Sequence, residues 1–450
     1  MKTIFITITR GSIIRNYFHT GIIDQLIAAG VRVVALVPFF DNNELLKEFS
    51  RENMVYEPLK SPTKIRFESF FIEMFRGLVF NKTVKTYYKY KFLTYEPNYA
   101  LYYPRAFFYF LVKIIPGMKR LTRFLDNLIN PQTENDYLFE KYRPDLFFST
   151  TPHDRADIGV MKSAKRFGVP VVGMPKSWDN LSKTLFPVKL KHMFLWSDYM
   201  RNEAFDFQGY LKSETTIVGI PQFDFYTNQS LLVSRDEYFR QHSLVPKKKI
   251  ILYGSTGAGF EENCYIELIQ SFRERGVLKD VQVVMRPHIG YEGEMKKFTL
   301  LEKYRGFVVD QTDKQSANLK DRWDVSMNHV KNLFNSMHHA DVCMNIASTL
   351  TFDASACGTP VVNVSFDCQK TEYKKSLARI YETDYFAAVI KIGATYLARN
   401  EKEFSESLVA SLADKNSKAE QRKRLIDYFV YRVDGKSSER LVSGILALLS

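Results

Sequence analysis

The chain has 450 residues, of which 45% are apolar and 25% charged, and its net charge is +13. This length exceeds what one hydrophobic core usually serves, so we expect two domains, and the ordinary composition excludes an intrinsically disordered protein. No uncharged apolar run reaches the roughly 20 residues that a membrane-spanning helix needs. The apolar start of the chain is too short for a signal peptide, so we expect a cytoplasmic protein.

The four cysteines show no paired spacing. Cys264, Cys343, Cys357 and Cys368 are spread over the second half of the chain, and three of them stand among apolar residues. Cytosolic proteins keep their thiols reduced, and a reduced cysteine behaves as a small apolar residue. We therefore predict reduced cysteines that belong to the core.

In chain order, the first forty residues alternate strand, helix and strand. The apolar runs "TIFITIT" (3–9) and "VRVVALVP" (31–38) enclose a helix that closes at Gly30. Amphipathic helices then separate four later apolar runs, at 144–150, 169–175, 192–196 and 215–219. Apolar strands that alternate with helices are typical of a parallel sheet covered on both faces. We predict a Rossmann-like amino-terminal domain over residues 1–220.

A basic and aromatic segment interrupts this pattern. Between Lys60 and Leu125 the chain has thirteen Lys and Arg against three Glu, interleaved with eighteen Phe and Tyr. We interpret it as a helical insertion at about 60–125. Its charge suits an anionic membrane surface or an acidic polymer; alternatively, its aromatics form a core and its lysines a solvated face. We expect no nucleic acid partner, since no RNA-binding aromatic motif, zinc finger or basic zipper accompanies the charge.

The second half of the chain repeats the alternation. Residues 221–248 combine a turn-rich stretch with a polar helix, which we interpret as an interdomain linker. A second set of apolar strands follows, in "KKIILYGS", "VQVVMRP", "GFVVD", "DVCMNI" and "PVVNVSF". They predict a second Rossmann-like domain over residues 249–415, and residues 416–450 have a helical pattern with a break near Gly435.

Ligands of doubly wound sheets collect at the carboxyl ends of the strands. After the strand that ends at Ile346, Ser348 and Thr349 stand at the start of a helix, where backbone N–H groups favour a phosphate. Asp353 follows one turn later, where a ribose attached to that phosphate could reach it. The alternative is an ordinary Ser/Thr helix cap followed by a solvated aspartate.

Two more strand ends offer groups that suit phosphate. The loop "GSTGAG" (254–259) supplies Ser255, Thr256 and Gly257, and the next strand ends near Arg286 and His288. Glycine-rich turns of this kind can cradle anions, although many only link a strand to a helix. The chain has no Asp-x-Asp pair that could hold a divalent ion against a diphosphate. We therefore predict a nucleotide site that needs neither a metal nor a cofactor, in which arginine, histidine and helix N-termini neutralise the phosphates.

The strand ends of the first half carry candidates for acid–base chemistry. His153 and Asp154 follow one strand, and Asp179 follows another within "MPKSWDNLSK". A carboxylate at such a place could take a proton from an acceptor hydroxyl. The alternatives are that His153 and Asp154 only cap the next helix, and that Asp179 is an ordinary turn residue.

Together these motifs resemble the GT-B superfamily of glycosyltransferases, and more closely the bacterial surface-polymer transferases related to CDP-glycerol glycerophosphotransferases. "SWDNLSK" stands where that group has a Trp-His-Gly-Thr segment, with Asp179 in place of the histidine base. "GIPQFD" (219–224) is similar to its Gly-x-Pro-Arg-x-Asp turn, with Gln222 for the arginine. "RPHI" is similar to its Arg-x-His-Pro motif, and Asp341, "ST" and "FD" follow as its Asp, Ser-Ser and Phe-Asp do.

The resemblance implies an α/β fold of two Rossmann-like, doubly wound domains facing a cleft, with a C-terminal helix from 416–450 crossing back to the first. It implies Asp179 as the base. It also implies that a nucleotide is held by a set of second-domain groups, namely Ser348, Thr349, Asp353, Arg286, His288 and the 254–259 loop.

The activity that the resemblance implies is an inverting glycosyl transfer from a nucleotide diphosphate sugar to a hydroxyl of a cell-surface glycan or lipid-linked acceptor, as in capsule or lipopolysaccharide synthesis. Two other reactions stay open, a CDP-alditol phosphotransferase and a non-hydrolysing sugar-nucleotide epimerase. A degenerate member that only binds glycan is the non-enzymatic alternative. Peripheral association with an anionic membrane is a further open hypothesis for the 60–125 segment.

Overall fold

The computed structural model describes residues 1–61, 65–93, 97–257, 261–288, 294–310, 325–369, 371 and 376–449. The chain divides into two compact units. The first comprises Met1–Gln222 together with the chain from Lys436 onward, and the second comprises the described residues from Phe223 to Gly435. Each unit is built on its own parallel sheet.

The strands of the first unit are buried runs of apolar residues. They are β1 (Thr3–Thr7), β2 (Arg32–Val37), β3 (Met54–Pro58), β4 (Leu146–Ser149), β5 (Val171–Gly173), β6 (His192–Leu195) and β7 (Thr215–Ile217). All pairs are parallel, and their order across the sheet is β3-β2-β1-β4-β5-β6-β7. The edge strand β3 was not predicted, because its middle is only partly buried and its sequence, "MVYEP", lacks a continuous apolar run.

Helices follow or separate these strands. They are α1 (Gly11–Ile14), α2 (Ile22–Ala28), α3 (Asn43–Glu48), α4 (Glu68–Gly77), α5 (Lys82–Leu93), α6 (Tyr99–Ile114), α7 (Met118–Ile129), α8 (Asp136–Tyr142), α9 (Arg155–Arg166) and α10 (Asp198–Glu203). Short π-helical turns extend α1 and α10, at Arg15–His19 and Ala204–Gln208. Gly30 adopts φ 78° just beyond α2, as a residue that ends a helix in the left-handed region does.

The second unit repeats this plan. Its strands are β8 (Lys249–Gly254), β9 (Val281–Arg286), β10 (Phe307–Val309), β11 (Val342–Asn345), β12 (Val361–Val364) and β13 (Tyr396–Ala398), in the order β10-β9-β8-β11-β12-β13. The edge strand β13 was also missed, because its sequence, "YLA", has no β-branched residue, unlike the equally short β5, β7 and β10. The helices before and between these strands are α11 (Arg235–Gln241), α12 (Asn263–Glu274), α13 (Met327–His339), α14 (Leu350–Ala356), α15 (Ala378–Tyr381), α16 (Asp384–Ile392), α17 (Glu401–Ala413) and α18 (Ala419–Phe429).

Two chain segments differ from the domain bounds expected from the sequence. Residues 221–248 are not a separate linker, because Tyr238 and Phe239 of α11 belong to a core cluster of the second unit. The helices beyond residue 416 also divide: α18 packs on α14 and α16 in the second unit, whereas the last helix, α19 (Ser437–Leu449), packs on α2 in the first.

The strand order creates one switch point in each sheet. In both, the chain moves outward from a central strand and then returns to its other side, so β1 and β4 are neighbours in the first sheet and β8 and β11 in the second. The carboxyl ends of such strand pairs are where doubly wound sheets bind ligands. At the second switch point, a Cβ atom on Gly254 would lie 2.2 Å from Leu350 Cδ1, so glycine leaves room for the side chain of the first residue of α14 against β8.

The basic segment folds as helices around an aromatic core of its own. Phe71, Phe75, Tyr88 and Tyr109 are buried there, which confirms part of the interpretation of these aromatics as core. Glu73 accepts hydrogen bonds from the hydroxyls of Tyr88 (2.6 Å) and Tyr109 (2.9 Å). Burial raises the pKa of Glu73, but these bonds and Lys91 outweigh it and lower the pKa. The carboxylate therefore holds α4, α5 and α6 together.

The prediction that all four cysteines are reduced is wrong in this structure. Cys264 at the start of α12 and Cys368 beyond β12 form a disulfide, with their Cα atoms 6.1 Å apart. The fold brings the start of α12 next to the segment after β12, although 104 residues separate the two cysteines. The spacing of cysteines in the sequence does not indicate such a pair. Cys343 and Cys357 are thiols, and burial raises the pKa of both.

None of the helices in the described ranges combines the length and the apolar character that a bilayer span requires.

Candidate functional site

At the second switch point, the chain leaves β11 through a turn built on Asn345. The buried Asn345 Oδ1 accepts hydrogen bonds from Ser348 N (3.2 Å), Thr351 Oγ1 (3.2 Å) and Asn363 Nδ2 (3.0 Å). Ala347 takes φ 44°, and its N–H donates to Tyr381 Oη at 3.0 Å. This network holds the residues between β11 and α14 in one conformation.

Ser348 and Thr349 lie where the sequence placed them, at the start of α14. Ser348 Oγ accepts from Leu350 N at 3.3 Å, which is the ordinary cap that was the alternative to phosphate binding. The side chain of Thr349 is exposed. A cap of this kind does not exclude an anion at the same helix start.

Asp353 is a buried group within the second unit. Only 4% of it is exposed, and its Oδ1 accepts a hydrogen bond from the Tyr226 hydroxyl. It joins α14 to the 3₁₀ turn Pro221–Thr227, so the solvated aspartate of the alternative is wrong, and the contact with a ribose stays a prediction.

The loop after β8 is organised by a carboxylate that the sequence did not single out. Glu262 is fully buried and accepts from Thr256 N (3.2 Å), Thr256 Oγ1 (2.8 Å) and Lys297 Nζ (2.5 Å). Thr256 thus uses its hydroxyl within the protein. Gly257 adopts φ 65° as the chain turns away, and residues 258–259 of the predicted phosphate loop lie outside the described residues.

Ser255 ties this loop to the neighbouring strand end. Its Oγ accepts a hydrogen bond from the backbone N–H of His288 at 3.0 Å, so the ends of β8 and β9 form one unit at the sheet edge. Ser255 is 3% exposed, whereas His288 is partly exposed.

Arg286 is engaged inside the protein. It is 5% exposed and forms an ion pair with Asp310, which is 1% exposed and also accepts from Ser336 Oγ at 2.9 Å. Burial alone would raise the pKa of Asp310, but Arg286 and the other partners hold it down at about 2. A second guanidinium nitrogen of Arg286 lies 3.5 Å from His329 Nδ1. A diphosphate would therefore have to compete with the buried Asp310 carboxylate for the Arg286 guanidinium.

The first switch point is a polar cluster around a buried carboxylate. Asp157 Oδ2 accepts from Thr7 Oγ1 (2.7 Å), Ser149 Oγ (2.6 Å) and Thr151 N (3.0 Å), which come from the ends of β1 and β4. Burial raises the pKa of Asp157 to about 6 despite these bonds. Asp157 was not predicted, because it lies inside α9 and is not at a strand end.

His153 and Asp154 lie beside this cluster. Asp154 forms an ion pair with Arg10 at 2.5 Å, so the loop after β1 is bound to the loop after β4. The pKa of His153 is lowered to about 4, first by burial, and the charges of Asp154, Lys176, Asp179 and Arg10 act on its ring. His153 is therefore neutral at pH 7.

Asp179 belongs to the same group of charges. Its carboxylate forms an ion pair with Lys183, and its side chain is 17% exposed. Burial raises the pKa of Asp179, but Lys183, together with hydrogen bonds from Ser177 and the backbone, outweighs burial, so the pKa is lowered. The structure thus brings together His153, Asp154 and Asp179, and it adds Arg10, which a check of every strand end would have found because it follows β1.

A metal ion in a protein is held by several His, Cys, Asp or Glu side chains that lie close together. Among the described residues, no group of three or more His, Cys, Asp or Glu side chains is arranged to hold a metal ion. Asp154, Asp179, Asp310 and Glu262 are instead paired with cations, namely Arg10, Lys183, Arg286 and Lys297.

Comparison with solved structures finds proteins of the same architecture along almost the whole chain. A glycosyltransferase from Rickettsia africae ESF-5 has a TM-score of 0.54 at 11% identity and covers 99% of this chain and 98% of its own. The UDP-GlcNAc 2-epimerase from Neisseria meningitidis bound to UDP-GlcNAc has a TM-score of 0.57 at 11% identity, covering 99% and 100%. The wall teichoic acid polymerase TagF, soaked with CDPG, has a TM-score of 0.51 at 12% identity, covering 100% and 88%. At such identities the likeness establishes the fold alone.

Sequence comparison identifies the family. A search of the curated proteins finds no match. The family model described as CDP-Glycerol:Poly(glycerophosphate) glycerophosphotransferase matches residues 174–447, which include Asp179, Ser255 and Ser348. Because this match covers more than half of the chain and the fold agrees, the resemblance seen in the motifs is confirmed: the chain is a GT-B-fold member of the CDP-glycerol:poly(glycerophosphate) glycerophosphotransferase family.

Proposed function

We propose that the protein transfers an alditol phosphate from a CDP-activated donor to a hydroxyl of a surface polymer or its lipid-linked precursor, and releases CMP. The observation that carries this proposal is the family match over residues 174–447. In the reaction, the acceptor oxygen forms a bond to the donor's outer phosphorus. The bond from that phosphorus to the oxygen bridging the two phosphates breaks, and the acceptor's proton passes to a base.

The donor belongs on the second unit in this proposal. The exposed Thr349, the partly exposed Ser348 and the tied loops of Ser255 and His288 all stand at the carboxyl ends of β8, β9 and β11. Backbone N–H groups at such a helix start stabilise negative charge on a leaving phosphate. Arg286 then acts by supporting the end of β9 through Asp310.

The proton acceptor belongs on the first unit, and we assign this role to Asp179. Lys183 keeps its carboxylate ionised at neutral pH, which is the form that a base requires. His153 and Asp154 lie in the same charge cluster as Asp179, and the ion pair of Asp154 with Arg10 fixes the loops around it. Asp179 stands where the family's motif has a histidine, so the base would differ in chemical type from that of its relatives.

Sugar transfer from a nucleotide diphosphate is the second candidate. The Asp179 replacement favours it, because a carboxylate in place of the histidine departs from the glycerophosphate-transferase motif. The two reactions differ in the leaving group, which is CMP for alditol-phosphate transfer and a nucleoside diphosphate for sugar transfer. In both, we propose that no metal takes part, since the chain has no Asp-x-Asp pair, and EDTA should leave turnover unchanged.

The test is a panel of CDP, CMP, UDP, GDP and CDP-glycerol in thermal unfolding, followed by chromatography of the nucleotide released from donors that bind. A ligand at 100 times its dissociation constant adds about 2.7 kcal/mol to the free energy of unfolding. We expect the cytidine nucleotides to stabilise the protein most, and CMP to be released. Release of a nucleoside diphosphate would favour the second candidate, and stabilisation by none of the panel would contradict both.

A matched pair of variants locates the nucleotide. Ser348→Ala with Thr349→Ala should weaken CDP binding measured by calorimetry, because both groups stand at the start of α14. Ser234→Ala removes a helix-capping serine in the same unit, at α11 and away from the switch point, and should leave binding unchanged. Equal binding by all three proteins would refute the assignment to α14.

A further inference from the structure

The helices α6 and α7 carry apolar stripes on the side that faces solvent. On α6, Tyr103, Phe107, Phe110 and Ile114 are each 51–63% exposed, and their spacing of four, three and four residues puts them on one face. On α7, Leu121, Phe124 and Leu128 are 48–65% exposed with the same kind of spacing. We call these seven residues the apolar face. Monomeric proteins rarely expose a large continuous apolar patch unless it binds something.

The apolar face does not result from loose packing. The opposite side of α6 is buried through Tyr109 and Val112, and the Tyr109 hydroxyl donates to Glu73 at 2.9 Å. On α7, Asp126 forms a buried ion pair of 2.8 Å with Lys162 of α9. Both helices are therefore fixed on the unit by their inner sides, and their outer apolar residues have a defined orientation.

The charge around this face has one sign. From Asn98 to Leu128 the chain has five Lys and Arg and one acidic residue, Asp126, which is buried against Lys162, so no carboxylate of these residues is exposed. Arg123 is turned inward, since its Nε donates to Phe186 O at 2.9 Å. Lys113 and Arg120 are exposed beside the apolar residues, and Arg105 and Lys119 are partly exposed.

Apolar side chains flanked by cations suit one kind of partner. We propose that the apolar face inserts into the interfacial layer of a bilayer that contains anionic lipid, and so holds the first unit on the membrane. Phenyl and aliphatic groups would enter the boundary of the acyl chains while Lys113 and Arg120 stay with the lipid phosphates. The inference rests on the surface alone and is independent of the reaction proposed above.

Geometry and charge exclude two other arrangements. A helix of 16 residues is about 24 Å long, shorter than the roughly 30 Å of a hydrocarbon core, so α6 lies along the surface instead of crossing it. A second copy of the chain would bring its own exposed Lys113 and Arg120 against these two cations, and an acidic polymer would leave the phenyl rings in water. A bilayer satisfies both the apolar and the cationic groups.

The experiment is co-flotation of the whole protein with phosphatidylcholine vesicles that contain either no phosphatidylglycerol or 30% of it. We expect retention on the anionic vesicles that weakens as salt is raised, because exposed charges are screened over about 10 Å at 0.1 M salt. The triple variant Phe107→Ser, Phe110→Ser, Ile114→Ser and the double variant Lys113→Glu, Arg120→Glu should each reduce partitioning at least 10-fold. Two controls in the second unit change the same number of exposed apolar or cationic residues, Val245→Ser, Val277→Ser, Val409→Ser and Lys279→Glu, Lys402→Glu, and should bind like the unaltered chain.

Insertion itself is measured with Phe110→Trp, whose emission should be quenched by brominated lipid, whereas the buried Trp178 and Trp196 report the background. Far-UV circular dichroism and thermal stabilisation by CDP should be the same in all variants, which separates loss of membrane binding from loss of the fold or of the nucleotide site. Three results would overturn the proposal: no retention of the unaltered protein on anionic vesicles, equal retention of the triple variant, or a dimer in sedimentation that the triple variant dissociates while vesicles bind neither protein.

Discussion

Lys183 forms an ion pair with Asp179, four residues earlier in the same turn segment. Burial raises the pKa of the Asp179 carboxyl, and Lys183, followed by Ser177 and a backbone N–H, outweighs burial and lowers it. Lys183 is thus the main group that lowers the pKa of the proposed base, and two variants separate the role of the base from the role of its partner.

Replacing Lys183 should shift the pH dependence of activity. In Lys183→Met, burial is no longer opposed by the ammonium charge, so the pKa of Asp179 rises and the acid side of the kcat/KM profile moves to higher pH. Lys189→Met is the matched control, because Lys189 forms a 2.7 Å pair with Glu214 in the same unit. Nucleotide release measured from pH 4 to 9 gives both profiles. An unchanged acid side in Lys183→Met would mean that the titrating base is another group.

Replacing Asp179 should impair turnover and spare donor binding. Asp179→Asn keeps the shape of the side chain and removes its ability to accept a proton, so we expect kcat to fall about 100- to 10,000-fold. Affinity for CDP, measured by calorimetry, should stay within about twofold, because we assign the nucleotide to the second unit. Full turnover by Asp179→Asn would remove Asp179 from the mechanism, and His153→Asn would then be the next variant to assay.

Strand periodicity predicted the fold well, because buried parallel strands such as β1, β8 and β11 are continuous apolar runs. It also put Ser255, Ser348 and Asp179 at strand ends, since chain order alone places those residues. Contacts between distant segments could not be predicted in this way, because no local sequence pattern indicates them. Asp310 lies 24 residues beyond Arg286, and nothing near Glu262 in the sequence indicates that the fold puts Thr256 and Lys297 against it. The sequence therefore indicated which residues stand at the strand ends, but not which buried carboxylates pair with Arg286 and Lys297 there.

The pair of Arg286 and Asp310 provides a test of whether this arginine supports the fold or binds phosphate. Arg286→Met would leave Asp310 buried without its cation, which costs about 3–5 kcal/mol of stability. Adding Asp310→Asn should restore most of the loss. Arg235→Met, which removes an exposed pair with Asp341, should cost less than about 1 kcal/mol. Unfolding by circular dichroism and hydrogen exchange of β9 measure these changes. If Arg286→Met kept full stability and lost only CDP affinity, the sequence-based role of a direct phosphate ligand would be right.

Asp157 should make the first unit less stable as pH rises. Its pKa is about 6 in the folded protein against 3.8 for the ordinary group, so the folded state binds more protons between those values. Stability therefore falls through this window, by about 3 kcal/mol, and is level above it. Asp157→Asn stays neutral at every pH and should lack this fall, while the exposed Asp198→Asn should keep it.

Denaturant unfolding at pH 4 and pH 7 compares these proteins in a Trp323→Phe background, so that the fluorescence comes from Trp178 and Trp196 in the first unit. Parallel pH dependences for Asp157→Asn and the unaltered chain would show that the carboxyl of Asp157 does not titrate in this window.

The disulfide predicts a stability difference in the second unit and a distinct labelling pattern. A cross-link that closes a loop of 104 residues restricts the unfolded chain, so reduction, or Cys264→Ser with Cys368→Ser, should lower the free energy of unfolding by about 2–5 kcal/mol. Reductant should have no further effect on the double variant. In protein purified without reductant and denatured, an alkylating reagent should modify Cys343 and Cys357 alone, and all four cysteines should react after reduction. Four modified cysteines without reductant would show the reduced chain that the spacing of the cysteines predicts, and α12 and the segment after β12 would then be held by non-covalent contacts such as the hydrogen bond from Tyr265 to Phe366 O.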